Sequence, residues 1–173
     1  MEDKEIKFPD KIYRKILMLQ FFHGELNRLF FKGKLESAII CPAIWLDEDD
    51  WPDGEVTAST YTETAVFFIQ FNVIDLETSE DFDDDMFLIT VLLHEMVHQY
   101  CREEGVEDID HGSNFVRRAV RHGLTQSGYK LTEQAKEKIS ERLRLYNLIN
   151  PIAWKIEDFE KHYKEIKEDI LLW

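Results

Sequence analysis

The chain of 173 residues is predicted to fold as an α+β protein, in which a small sheet of about three strands packs against amphipathic helices. Three observations predict this class. Apolar residues recur at spacings of three and four over 12–29 and 86–100, as they do along one face of an α-helix. The segments 37–46, 56–61 and 65–71 are rich in β-branched and aromatic residues, which favour strands. Gly and Pro number only 7 and 4, which excludes low-complexity and collagen-like chains.

The first predicted element is a helix that follows Pro9-Asp10 and ends at Lys32-Gly33-Lys34, because glycine is common just past the end of a helix. The residues of its apolar stripe are Ile12, Ile16, Leu19, Phe22, Leu26 and Leu29. A stripe of this kind indicates a helix that is buried along one side.

Three strands are expected next, in a sheet that is mostly antiparallel. The segment 37–46 contains Pro42, a residue found in sheets mainly at edges or bulges. Residues 65–71 are apolar on both faces, as expected of an interior strand. The acidic segment 47–54 is predicted to be a loop.

Helices are predicted for the rest of the chain. One covers 84–103 and a shorter one covers 112–123, followed by a helix over 132–150 that stops at Pro151 and a last one over 156–170. The inward-facing residues of the shorter helix are expected to be Phe115, Ala119 and Val120.

A single cytoplasmic domain, 1–173, is expected, because no internal repeat or Pro/Ser/Gly-rich linker divides the chain. The longest apolar run, 65–69, is far too short to span a membrane, and the charged start lacks the apolar core of a signal peptide. Cys41 and Cys101 cannot make a disulfide framework or a four-cysteine zinc site, and reduced thiols suit the cytosol.

The net charge of −14 is unevenly distributed. Between Leu35 and Cys101 there are 16 Asp/Glu and no Lys or Arg, whereas the remainder holds 21 Lys/Arg against 19 Asp/Glu. The acidic loops either serve solubility alone or repel phosphate backbones. On the second interpretation tight autonomous DNA binding is not expected, and basic or unfolded chains are the expected substrates. The basic residues Arg117, Arg118 and Arg121, on the outer face of their predicted helix, could still touch a phosphate backbone.

Residues 94–98 have the sequence HEMVH, the HExxH pattern, inside the predicted helix 84–103. A step of four residues turns an α-helix by about 400°, so His94 and His98 lie roughly 40° apart and can share one metal ion. Glu95 is turned aside by about 100°, near the metal without being a ligand. This arrangement is typical of a catalytic zinc site.

A catalytic zinc usually has three protein ligands, so a third must be found. The metzincin pattern would need Gly at 101 and His at 104, where the chain has Cys101 and Glu104. His111 is the favoured candidate, because it follows His98 after a loop and begins the next helix, where Gly112 allows a close turn and Phe115 can fix the helix to the core. Two alternatives stay open. They are Cys101 as a ligand, and Asp110 as a ligand or as the acceptor for a ligand's ring N–H.

HEMVHQY followed by DHGSNF resembles the SprT-like metallopeptidase domain, the family that includes the Spartan DNA-protein crosslink proteases. LNRLFFKGKL, EVTASTYTE and AVFFIQFN are similar in order and spacing, so the resemblance covers about 12–124 and leaves 125–173 as a C-terminal helical extension. It implies a zincin-like fold, Zn²⁺ on His94, His98 and His111, and Glu95 as the catalytic carboxylate. Many family members add a C-terminal zinc ribbon, whereas this chain has no cysteine after Cys101.

The expected activity is hydrolysis of peptide bonds by a zinc-activated water, with Glu95 as general base. Tyr61 and His122 are candidates for stabilising the oxyanion, because they are polar and expected near the site. Two alternatives to this function remain: a non-catalytic zinc-stabilised protein-interaction module, and a DNA-associated repair protease. A fourth protein ligand would favour the module, since structural zinc prefers four.

Overall fold

The computed structural model describes residues 10–43, 58–63, 66–106 and 111–153. The architecture is α+β, as predicted. Its elements are α1 Asp10–Leu26, β1 Ala38–Ala43, β2 Ala58–Glu63, β3 Val66–Asn72, α2 Val73–Thr78, α3 Asp85–Glu103, α4 Ser113–Arg121 and α5 Glu133–Ala153. The chain divides into two compact units, one up to Lys136 and the other from Glu137 onward.

Helix α1 buries the predicted stripe from Ile12 to Leu26, but Leu29 is only half-buried. The reason is a π-helical turn over Asn27–Phe31, which continues α1 and widens the spacing of inward positions to five residues. Phe31, five residues after Leu26, therefore fills the core position. The helical segment ends at Lys32 in the left-handed conformation, at the predicted boundary.

The three predicted strands are present in the order β1-β3-β2, with β1 parallel and β2 antiparallel to β3. The expectation of a mostly antiparallel sheet is therefore wrong, because the sheet is mixed. β3 is apolar on both faces and takes the central place, as predicted, and Pro42 lies on an edge strand. Since β2 and β3 are joined by a short connection, they pair antiparallel, and β1 pairs with the other side of β3 in the parallel direction. Side-chain periodicity does not determine that direction.

One face of the sheet forms the core. Phe67, Ile69 and Phe71 of β3 are buried, while the alternate residues are partly exposed. α1 lies against β1, and α3 lies against β2 and β3. At the outer edge of β1 the Gln20 side chain donates to the carbonyl of Ala38 and accepts from the amide of Ile40, at 3.1 and 3.0 Å, which occupies backbone groups that an edge strand exposes.

Helix α3 matches the predicted helix 84–103, and both of its ends are defined by local chemistry. The Asp84 side chain caps the start by accepting from the amide of Met86 at 2.9 Å. At the other end Gly105 adopts φ +64, and the amide of Val106 donates to the carbonyl of Cys101 at 2.9 Å. Glycine accommodates this left-handed turn, which ends the helix.

Two details of the later helices differ from prediction. In α4, Phe115 and Ala119 are buried as expected, but Val120 is 46% exposed and Arg118 is buried instead. Arg118 lies inward because its guanidinium donates to Glu104 at 2.7 Å. Helix α5 continues through Pro151 to Ala153, so it does not stop there.

The predicted helix over 156–170 and the predicted loop over 47–54 lie outside the described residues. Among the helices of the described part, none is long and apolar enough to cross a membrane.

Candidate metal centre

Helix α3 places His94 and His98 one turn apart, and their Nε2 atoms are 3.1 Å from each other. The helical spacing of four residues produces this convergence, as the sequence predicted. His94 is buried, with 7% of its surface exposed, whereas His98 is more accessible.

His111 joins the pair from the segment just before α4. Its Nε2 lies 3.0 Å from Nε2 of His94 and 3.2 Å from Nε2 of His98. The close turn is made by His111 itself, which has φ +57, and not by Gly112, whose φ is −58. A left-handed conformation costs a non-glycine residue roughly 1–2 kcal/mol, so the histidine occupies a strained position that brings its ring to the pair.

No arrangement of protons makes all three nitrogen contacts favourable. His94 Nδ1 lies 3.0 Å from the carbonyl of Gly128, which can only accept, so in the neutral ring its Nε2 carries a lone pair. Whichever of His98 and His111 accepts from the other then has no proton on Nε2 to donate to His94. A cation bound to all three lone pairs removes the conflict. The three histidines, which form the cluster found in the described residues, can therefore hold a metal ion.

The carbonyl that orients His94 belongs to a hairpin between α4 and α5. Leu124 and Leu131 form its bridge, and within it the amide of Gly128 donates to the carbonyl of Thr125 at 2.9 Å. Gly128 has φ +77, and a Cβ there would lie 2.9 Å from a ring carbon of Phe115 and 3.6 Å from His94 Nδ1. Both conformation and space thus favour glycine, which lets the backbone reach the imidazole.

Aromatic rings hold the three imidazoles in place. The ring centroid of the fully buried Phe115 lies 4.8, 4.4 and 4.8 Å from those of His94, His98 and His111. The role predicted for Phe115, fixing α4 to the core beside the site, agrees with these contacts. Tyr129, 61% exposed, stacks on His94 with centroids 4.8 Å apart.

Burial lowers the pKa of His94 to about 3, opposed by its hydrogen bond to Gly128, and the charges of His98 and His111 lower it further. At neutral pH His94 is therefore uncharged, the form in which imidazole binds a metal.

Glu95 is 6% exposed and accepts a hydrogen bond at Oε2 from the hydroxyl of Thr60, at 2.8 Å. Thr60 lies on β2, and its backbone carbonyl accepts from the guanidinium of Arg102. The carboxylate of Glu95, on α3, is thus held by a residue of the sheet.

On the side of α1, α3 is anchored through Gln99, the neighbour of His98. The Gln99 amide donates to the carbonyl of Glu36 at 2.9 Å and to Glu103 at 2.7 Å, so its oxygen accepts from Nε2 of His23 at 3.0 Å. Burial lowers the pKa of His23, while the bond to Gln99 raises it. His23 is 4% exposed and is therefore a core residue.

The remaining candidates have different positions. His122 donates from Nδ1 to the carbonyl of Phe30 at 2.8 Å and stacks on Phe31 with centroids 4.2 Å apart, in an aromatic group separate from the three histidines. Cys101 is fully buried and is not a member of the histidine cluster. Asp110 and the side chain of Tyr61 lie outside the described residues, although the backbone of Tyr61 pairs with Phe68 in the sheet.

Sequence reasoning missed Thr60, Gly128 and Tyr129. The dipeptide Ser127-Gly128 is a turn signal, but nothing in the sequence indicates that the turn reaches an imidazole 34 residues earlier. Thr60 is one of two threonines in β2, and only the packing of β2 on α3 distinguishes it.

Comparison of the chain with protein-family models, with curated proteins and with solved structures gives no significant match.

Proposed function

We propose that this protein is a SprT-like, zinc-dependent metallopeptidase in which His94, His98 and His111 hold Zn²⁺ and Glu95 is the general base. The observation that carries the proposal is the triangle of Nε2 atoms, with edges of 3.0 to 3.2 Å, next to a buried glutamate on the same helix. A zincin-like fold, with the HExxH helix beside a small sheet, belongs to the same proposal.

The donor set fits zinc. Tetrahedral Zn²⁺ with Zn–N of about 2.0–2.1 Å separates its nitrogen ligands by roughly 3.3 Å, close to the observed edges. Three imidazole ligands would leave one coordination position for water, as in catalytic sites. Zinc held by these residues would lower the pKa of a water molecule toward about 7 and would polarise a substrate carbonyl.

Glu95 accepts a proton from the attacking water and passes it to the leaving nitrogen of the peptide bond. Its burial excludes bulk water, so the carboxylate keeps a defined orientation. The substrate lies extended along β2, an edge strand that contacts Glu95 through Thr60.

We further propose that the substrates are basic or unfolded chains, because the net charge is −14. The ion pair of Arg118 with Glu104 leaves Arg117 and Arg121 as the exposed arginines of α4, so one fewer cation is available to a phosphate backbone. Tight autonomous DNA binding is not expected. The two cysteines are not joined in a disulfide, which is compatible with the proposed cytoplasmic location.

The test incubates the metal-replete protein with casein and with a library of basic unfolded peptides as substrates. Hydrolysis by the wild type is compared with hydrolysis by Glu95→Gln. The variant should keep one zinc per chain and lose hydrolysis, because the amide preserves the shape but cannot act as base. Glu103→Gln, which removes a carboxylate two turns later on α3, is the matched control and should stay active. Equal activity of wild type and Glu95→Gln would refute the proposal.

The alternative is a zinc-stabilised interaction module without catalysis. Structural zinc prefers four protein ligands, whereas three side chains converge among the residues that the structure describes. A zinc-loaded protein that hydrolyses none of these substrates, and whose metal spectrum shows four protein donors, would favour the module.

A further inference from the structure

Thr60 is a residue of β2 with a buried polar side chain, which lies between the sheet and helix α3. It is 4% exposed, and its Oγ1 lies 2.8 Å from Oε2 of Glu95 and 3.1 Å from the carbonyl oxygen of Glu95. A hydroxyl has one proton, and a bond to an ionised oxygen is stronger than one to a carbonyl. The Thr60 hydroxyl therefore donates its proton to Oε2 of Glu95, the closer and ionised oxygen.

The backbone that carries this hydroxyl is itself fixed. Thr60 is opposite Ile69 of β3, a fully buried residue of the central strand, and its own carbonyl accepts from Arg102 of α3. The backbone of Thr60 thus pairs with β3 in the sheet and is also hydrogen-bonded to helix α3. A donor on so constrained an element restricts the rotamer of the carboxylate that it binds.

We propose that Thr60 is a positioning residue for Glu95. Its hydroxyl holds Oε2 and so fixes the orientation in which the carboxylate meets the attacking water. This inference rests on the proposed peptidase function and adds to it a residue outside the HExxH pattern. A purely structural Thr60 would stabilise the contact of β2 with α3 without affecting the rate of hydrolysis.

Two substitutions separate these roles. Thr60→Val keeps the shape and removes the donor, and we expect a kcat roughly tenfold lower with an unchanged KM and an unchanged zinc content, since a small misplacement of a catalytic group is costly. Thr60→Ser restores the hydroxyl and should return kcat to within about threefold of wild type. The matched control is Thr90→Val, which removes a hydroxyl that donates to the carbonyl of Met86 at 2.7 Å on α3. Its kcat should equal that of wild type.

A second measurement is independent of activity. Urea unfolding of Thr60→Val, Glu95→Ala and the double variant forms a cycle that measures the coupling of the two side chains. If the two side chains are coupled, the fold-change in the unfolding equilibrium constant of the double variant should be about fivefold smaller than the product of the fold-changes of the two single variants.

The outcomes distinguish this inference from the proposed function. A wild type and a Glu95→Gln variant that are equally inactive would refute the peptidase itself. An active wild type with an inactive Glu95→Gln, together with a Thr60→Val as fast as wild type, would overturn the role of Thr60 alone. So would a Thr60→Ser that is as slow as Thr60→Val, or a cycle without coupling.

Discussion

Gly128→Ala should weaken metal binding, although the substitution is 34 residues away in sequence from the histidine it affects. The Gly128 carbonyl fixes the ring of His94, and the new Cβ would lie 2.9 Å from a ring carbon of Phe115. Phe115 contacts all three histidines and is fully buried, so it cannot move aside cheaply. The hairpin must shift instead, and with it the carbonyl.

The substitution is expected to have two effects, one on the stability of the fold and one on the affinity for zinc. A left-handed backbone costs alanine about 1–2 kcal/mol, of which the loss of unfolded-state entropy returns about 0.4–1 kcal/mol. Displacing the acceptor of a metal-binding imidazole typically lowers affinity about 10- to 100-fold. Gly33→Ala separates the two effects, because Gly33 has φ +70 and its Cβ would meet nothing within 4 Å.

The assay is competition for zinc against a chromophoric chelator, paired with urea unfolding of the metal-free proteins. Both alanine variants should lose stability, and only Gly128→Ala should lose affinity. If Gly128→Ala binds zinc as tightly as Gly33→Ala does, the Gly128 carbonyl does not determine the geometry of His94.

Four further outcomes are expected. The double variant His94→Ala, His98→Ala should bind no stoichiometric zinc by elemental analysis, and retained metal would contradict the site. His111→Asn should fold, because asparagine tolerates the left-handed backbone, and should bind zinc at least tenfold more weakly by the same competition assay. Burial lowers the pKa of His23, so folding favours the neutral form of its imidazole. The contribution of His23 to the free energy of unfolding is therefore fully present above the unfolded pKa of about 6.5 and decreases as the pH drops below that value. His23→Gln should flatten that decline in urea titrations from pH 8 to pH 5, and an unchanged slope would exclude the residue as its source. DNA binding by fluorescence anisotropy at physiological salt should be weak or undetectable, and a submicromolar Kd without a partner would instead favour the DNA-associated repair protease.

The sequence predicted the parts of this protein in which one local pattern has one structural outcome. The spacing of apolar residues located α3, and also α1 together with the π-helical turn that continues it, to within a residue or two, because a buried stripe on a helix repeats every three or four positions. The same helical geometry brought His94 and His98 together. The central position of β3 followed from its apolar character on both faces.

What could not be predicted depends on contacts between distant segments. The parallel pairing of β1 with β3 and the hydrogen bond from Thr60 to Glu95 leave no periodic trace in the sequence. Arg118 faces inward because Glu104 lies within reach, which a helical wheel of α4 alone does not show. The π-helical turn after α1 shifted the buried position from Leu29 to Phe31 for a similar reason, since tertiary packing overrides local spacing.

The left-handed backbone of His111 has a consequence for how quickly a bound metal is exchanged. His94 and His98 are carried by one continuous helix of 19 residues, whereas His111 stands before the nine-residue α4. Local opening of a short segment requires much less free energy than global unfolding, and relaxation of a strained residue favours it further. Dissociation should therefore begin at His111, and chelator-driven release should be faster than unfolding, with a half-life determined by local opening at His111.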